Sequence, residues 1–249
     1  MGIEKIQALV MRSFPLGDTS RIVHLLSAER GRVHVVAKGV RGPRGRFGAA
    51  LEPFTRIGAV IYYRAERDLQ FLSQAEILTR RDVLGSSLAR FAYASAVIEL
   101  LDQALAGEEP AQGLFALVDS SLESLERVPE EELKGVFMTY AFTLMGLLGY
   151  RPELGRCVVC GRDPGDNAAF AAARGGVACR ACAGTEALRL SAEALAGLKR
   201  LFAGGALVDL SRAAADDLAR GLDAFLRAHL PRYRGLRSLK MAHEVSVVG

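Results

Sequence analysis

The chain has 249 residues, half of them hydrophobic and 24% charged, enough to bury one large core or two small ones and unlike a disordered tail. Its longest uncharged run, Gly135–Tyr150, is 16 residues, contains Thr139, Tyr140 and Thr143, and falls short of the roughly 20 apolar residues of a bilayer-spanning helix. The net charge of +4 hides a split: residues 1–80 carry 13 Lys/Arg against 7 Asp/Glu, whereas residues 81–249 carry 19 against 21. A basic first third points to a polyanionic partner. Glu4 and Lys5 interrupt any apolar leader, and Ile6 stands where a myristoylation signal needs Ser or Thr. A cytoplasmic protein is expected.

The first 80 residues read as strands: Lys5–Arg12, Ser20–Ser27, Gly31–Lys38, Ile57–Arg64 and Leu69–Glu76. They are short, rich in β-branched and aromatic residues, and separated by turn signals at Pro15/Gly17/Asp18, Glu29–Gly31 and Glu66–Asp68. Five short strands without an intervening helix predict a small curved barrel of the oligonucleotide-binding (OB) type, with an SH3-like barrel as the alternative. In the third strand Arg32, His34 and Lys38 share one face, and Val33, Val35 and Ala37 the other. That basic face leads into the densest positive run of the chain, Lys38 to Gly48, with Lys38, Arg41, Arg44 and Arg46 and no acid. Glycines at 39, 42, 45 and 48 let the backbone approach phosphates, and each Arg can fork onto phosphate oxygens. Arg32, Lys38, Arg41, Arg44 and Arg46 are therefore the expected DNA-binding residues. Phe47 is read either as a base-stacking ring or as a side chain folded into the core.

From about Asp82 the period becomes helical, with Leu88, Phe91, Ala92, Ala96, Leu100 and Leu101 in register. Pro129 followed by three glutamates opens a helix that contains the uncharged run and ends near Gly149. The expected architecture is α+β and multidomain: a barrel over 1–80, then an α-helical domain over 81–249 with a metal module inserted at about 150–186. The module rests on Cys157, Cys160, Cys179 and Cys182, all the cysteines of the chain, spaced C-x2-C-x18-C-x2-C. Each pair turns two thiolates to one side, and the loop between lets the pairs face one another around one tetrahedral ion. Gly161 and Gly184 are placed to permit tight knuckles. Structural zinc is the favoured reading, against an iron–sulfur cluster or thiol redox chemistry. Four thiolates leave no open coordination position, so no zinc catalysis follows.

After the cysteines, Ser191 caps a helix to about Phe202, and Ser211 opens another that Pro231 stops. A second basic patch follows: Arg227, His229, Arg232, Arg234, Arg237 and Lys240. It reads equally as an extension of a nucleic-acid path or as a solvated tail. No nucleotide-triphosphate loop, dinucleotide fingerprint, zinc-protease helix or serine-hydrolase elbow occurs, so no catalytic residue is assigned and no enzyme is expected.

The run GDTSRIVHLLSAERGRVHVVAKGVRGPRGRFGAALEPF (17–54) resembles the N-terminal barrel of the RecO family of bacterial recombination mediators. The run LLGYRPELGRCVVCG (147–161), with its second cysteine pair, resembles the helical junction and zinc module of the same family. One departure is Gly45, where relatives often carry Ser. The resemblance implies a non-enzymatic, nucleoid-associated DNA repair and recombination protein that binds single- and double-stranded DNA and anneals complementary strands. It further implies work with RecR, contact with the C-terminal tail of single-stranded DNA-binding protein (SSB), and help in loading RecA. A zinc-ribbon scaffold reading RNA in transcription or processing is the alternative.

Overall fold

A computed structural model describes residues 2–40, 47–105, 112–165, 168–207 and 209–240. The expected contacts Arg41, Arg44 and Arg46 lie outside the described residues. Strands β1 (Gly2–Leu16), β2 (Ser20–Ser27), β3 (Gly31–Ala37), β4 (Arg56–Tyr63) and β5 (Leu69–Thr79) close a barrel in the order β1-β2-β3-β5-β4. The long β1 pairs β4 through its first half and β2 through its second, with a register shift between Val10 and Arg12 where the strand bends. β3 and β5 pair in parallel. That parallel pairing within a closed Greek-key order is the OB arrangement; an SH3-like barrel pairs its strands antiparallel.

Alternation explains the packing. Ile6, Val10, Val23, Leu25, Val33, Val35, Ile57, Ile61 and Leu72 point inward and are buried together. The residues between them on β3 lie on the outer face and are partly exposed.

The chain divides into two compact units: Met1–Ser86 with Leu105–Glu126, and Ser87–Ala104 with Arg127–Gly249. Helix α1 (Leu88–Ala104) belongs to the second unit, whereas α2 (Gln112–Arg127), which the sequence reading did not propose, falls almost entirely in the barrel's unit. Leu114, Phe115, Val118, Leu122 and Leu125 form its buried stripe. On this unit Arg56 donates to Asp119 of α2 at 3.0 Å.

The second unit continues with α3 (Leu133–Leu147), entered through a 3-10 turn at Glu130–Glu132 behind Pro129. A three-stranded sheet follows, β6 (Ala169–Ala171), β7 (Gly176–Ala178) and β8 (Leu188–Arg189), in the order β7-β6-β8. Helices α4 (Ala192–Phe202) and α5 (Arg212–His229) are capped by Ser191 and Ser211, whose hydroxyls accept from Ala194 N and Ala214 N. Tyr140 of α3 is buried and donates to the Val97 carbonyl of α1 at 2.9 Å. Gly135 of α3 admits the chain closely: a Cβ there would stand 2.2 Å from the Leu207 carbonyl oxygen. Among the described residues, no helix is long and apolar enough to cross a membrane.

Candidate nucleic-acid face and metal centre

The outer face of β1–β3 collects cations and rings. Arg12 stands opposite His24, and His24 opposite His34, so the three share one side of the sheet. The two imidazoles stack with centroids 4.1 Å apart, and Phe14 meets His24 edge-on at 5.3 Å. Arg32 lies on the same outer face of β3, and Lys38, exposed just past the end of the strand, holds its Nζ 6.0 Å above the Phe71 ring. Phe47 packs against the barrel core instead.

Partial burial holds the His24 imidazole down at about 4, with the charges of His34, Arg12 and Arg32 pushing the same way. His24 is therefore a neutral ring at pH 7. Between pH 6.5 and about 4 the unfolded chain binds a proton at this residue that the folded chain refuses. Its contribution to stability is therefore complete above pH 6.5 and is lost as the pH falls through that window. We expect the thermal midpoint to drop less steeply for His24→Gln than for the parent between pH 6.5 and 4.5. Parallel curves for the two proteins would exclude His24 as the source.

The four cysteine sulfurs all lie within 4.8 Å of one another. Cys157 opens the first knuckle: its N–H bonds the Arg162 carbonyl at 2.8 Å, and its carbonyl accepts from Gly161 N at 2.8 Å. Gly161 holds φ 71°, a left-handed conformation suited to glycine, whereas Gly184 is not in the left-handed region. Cys179 follows β7 directly, and its N–H donates to Cys157 Sγ at 3.3 Å, joining the two knuckles. Gly176 of β7 lies so close to Glu153 that a Cβ would be 2.2 Å from the Glu153 carbonyl oxygen. The module is tied to its helical unit by Phe170 of β6, whose ring meets Phe225 of α5 at 5.7 Å.

This donor set fits one tetrahedral ion. With metal–sulfur bonds of about 2.3 Å, tetrahedral sulfurs stand about 3.8 Å apart, and Cys160 Sγ and Cys179 Sγ are separated by 3.8 Å. Backbone N–H groups of Cys179 and Cys160 draw the Cys157 thiol down to about 6. The crowded neighbours, Cys179 first and then Cys160, push the Cys182 thiol up to about 12. Four thiolates at this spacing repel one another, and a dication removes that repulsion.

In the second basic patch, Arg227 is paired with Asp223 at 2.8 Å and Arg234 donates to the Pro231 carbonyl at 2.8 Å. His229 packs on Tyr150 and Phe225 with a ring nitrogen 2.9 Å from the Ala172 carbonyl. Those three side chains are engaged in holding the helical unit.

The barrel order, the helical unit and the four-cysteine cluster define a class, a multidomain OB-barrel protein with four thiols close enough to hold a metal ion. Its first part, residues 1–81, matches the family model for Recombination protein O N terminal, and residues 85–240 match Recombination protein O C terminal. A protein of Symbiobacterium thermophilum named DNA repair protein RecO is 34% identical over 93% of this chain and 94% of its own length. Proteins of the same name from Nocardioides sp. and Pelobacter propionicus are 35% identical over 94% and 39% identical over 73% of this chain, covering 96% and 72% of their own lengths. The chain belongs to the RecO family of DNA repair proteins.

Proposed function

We propose that this chain is an ATP-independent recombination mediator of the bacterial cytoplasm and nucleoid. It binds single- and double-stranded DNA through the barrel of residues 1–80, anneals complementary strands and, with RecR, helps RecA replace SSB. The observation that carries this reading is the barrel's outer face, where Arg12, Arg32 and Lys38 lie among the partly exposed rings of His24, His34 and Phe71 and the exposed Phe14 at the entry to the basic segment 38–46. Annealing requires phosphate repulsion between two strands to be screened while the pairing edges stay free, which a backbone-directed basic surface provides. Arg32, Lys38, Arg41, Arg44 and Arg46 are the proposed phosphate contacts. Changing Arg41 and Arg44 together to Ala should flatten the log–log salt dependence of single-strand binding by about 1.4. A parental slope would remove this segment from the interface.

The helical part, with the metal module at about 150–186, is the proposed partner-binding portion. A cavity of about 230 Å3 in the second unit has apolar walls including Phe137, Leu226 and Leu236, and is also lined by Lys240, by Lys134, which pairs with Asp216, and by Arg227, which pairs with Asp223 of the same lining. The apolar residues of the C-terminal tail of SSB suit such walls, and Lys240 offers a cation to its acids. The ion held by Cys157, Cys160, Cys179 and Cys182 is proposed to be a single structural zinc, because the spacing fits a mononuclear site and no position is left for substrate. Strand annealing on SSB-coated complementary oligonucleotides, without nucleotide and at low salt, tests the reading. Acceleration over the protein-free rate is expected, and its dependence on the SSB tail separates the partner claim from the DNA claim.

A further inference from the structure

The strand registers place six apolar side chains in one continuous belt around the outside of the barrel. Phe14 stands opposite Ile22, Ile22 opposite Val36, and Val36 beside Phe71. Phe71 is opposite Tyr62, and Tyr62 is opposite Ile3. None of the six is buried: Ile3 is 67% exposed and Phe14 44%, and the other four keep partial access to solvent. An outer barrel face needs no such row for folding, because the core is filled by the alternate residues. Tyr62 and Phe71 lie with ring centroids 5.8 Å apart at one end, and Phe14 with the stacked His24 and His34 at the other. At about 4.8 Å per strand, the three steps from Phe14 to Phe71 span about 14 Å, the reach of a few nucleotides.

We propose that Phe14, Tyr62 and Phe71, with the His24–His34 stack beside them, form a base-stacking surface for unpaired DNA, distinct from the phosphate-contacting cations. The inference rests on the DNA-binding reading above and deepens it by assigning single-strand preference to named rings. Charge complementarity favours a nucleic acid over an apolar peptide. Arg12 lies in the row next to the belt, Lys38 stands over Phe71, and β3 runs from Val36 straight into the basic segment. Every base has a π-face, so rings of this kind hold single strands without sequence preference. A duplex hides those faces and cannot use them. Stacking also leaves the Watson–Crick edges outward, so a strand held this way is presented ready to pair.

The test uses the full-length protein with a thymidine oligonucleotide and a duplex of mixed sequence and equal length. Phe14→Ala with Phe71→Ala should weaken single-strand binding about tenfold or more. Duplex affinity and both salt slopes should stay at parental values, because no phosphate contact is removed. Phe14→Tyr with Phe71→Tyr should restore single-strand affinity. The chain contains no tryptophan, so Phe14→Trp introduces a single indole whose fluorescence stacked thymines should quench. Equal losses on single strand and duplex, or an unquenched indole in a saturated complex, would overturn the stacking surface. Unchanged single-strand affinity in the double alanine variant would overturn it too. A parent protein that binds neither DNA would overturn the underlying DNA reading as well, and so marks a different failure.

Discussion

Removing the metal from the four-cysteine centre should unfold the module that contains it. The reason lies in how little else holds that segment. Its strands β6, β7 and β8 are three, three and two residues long, well below the length that forms a stable sheet in water. The two knuckles are joined by the N–H to sulfur bond from Cys179 to Cys157, by the Val158 N–H to Val177 carbonyl bond at 2.9 Å, and through the sulfurs themselves. Without a cation, the sulfurs cannot all ionise: Cys157 sits at about 6 and Cys182 at about 12. Metal binding supplies that charge balance and is coupled to folding, so Cys157→Ser should cost about 4 kcal/mol or more and release the ion. We expect one zinc per chain in protein purified without chelator. Loss of the ion should be accompanied by loss of amide protection across residues 153–189. The cysteines belong to the second compact unit and the cations of β3 to the first, so DNA affinity carried by the barrel should change far less than stability. Zinc-free protein with a parental melting curve would refute the centre.

The clustering of the four cysteines was legible in the sequence, because a paired C-x2-C spacing is written in residue type and position alone. The strands were legible where burial alternates: β2 and β3 begin where the pattern puts them, at Ser20 and Gly31. β1 runs further than expected because Pro15, which reads as a turn, still pairs with Arg21 at the end of the strand. Proline is tolerated there, where its missing N–H interrupts little of the ladder. Helix α2 is not among the elements expected from the sequence, although Leu114, Phe115, Val118, Leu122 and Leu125 recur at helical spacing. Its serines suggest a loop, yet the hydroxyls of Ser120 and Ser121 donate back to the Leu117 carbonyl and that of Ser124 to the Ser120 carbonyl, all within the helix. The short strands β6 to β8 carry no periodic signal at all. On the outer face of the barrel, the alternation of β3 was enough to turn Arg32 away from the buried Val33 and Val35. The belt from Phe14 to Tyr62 depends on cross-strand register, which one strand's pattern cannot reveal.

Arg81 is the residue whose weight the sequence conceals most, and its replacement should destabilise the barrel's unit by about 3–5 kcal/mol. In sequence it is one of two adjacent arginines beyond β5, and its partners are 27, 38 and 45 positions away. In the structure its side chain is only 3% exposed. One terminal nitrogen donates to the Phe54 carbonyl at 3.1 Å, the other to Asp119 at 2.7 Å, and Nε lies 3.4 Å from Glu126. Asp119 also takes Arg56 at 3.0 Å, and Arg56 reaches Gln7 of β1 at 2.8 Å. Two guanidinium groups thus share one carboxylate and fasten α2 to the strands of its own unit. Arg81→Met keeps much of the side-chain volume but removes the buried guanidinium from beside Asp119 and Glu126, together with the hydrogen bond to the Phe54 carbonyl. Arg81→Lys cannot supply three divergent donors in one plane and should fall between the two. Because the penalty is largely that of uncompensated charge, adding Asp119→Asn and Glu126→Gln to Arg81→Met should recover part of the loss. Urea unfolding measures this directly, and amide exchange should show α2 opening ahead of β2 and β3. A loss of less than about 1 kcal/mol for Arg81→Met would place the cluster with ordinary surface ion pairs and leave the burial of its apolar stripe as what holds α2.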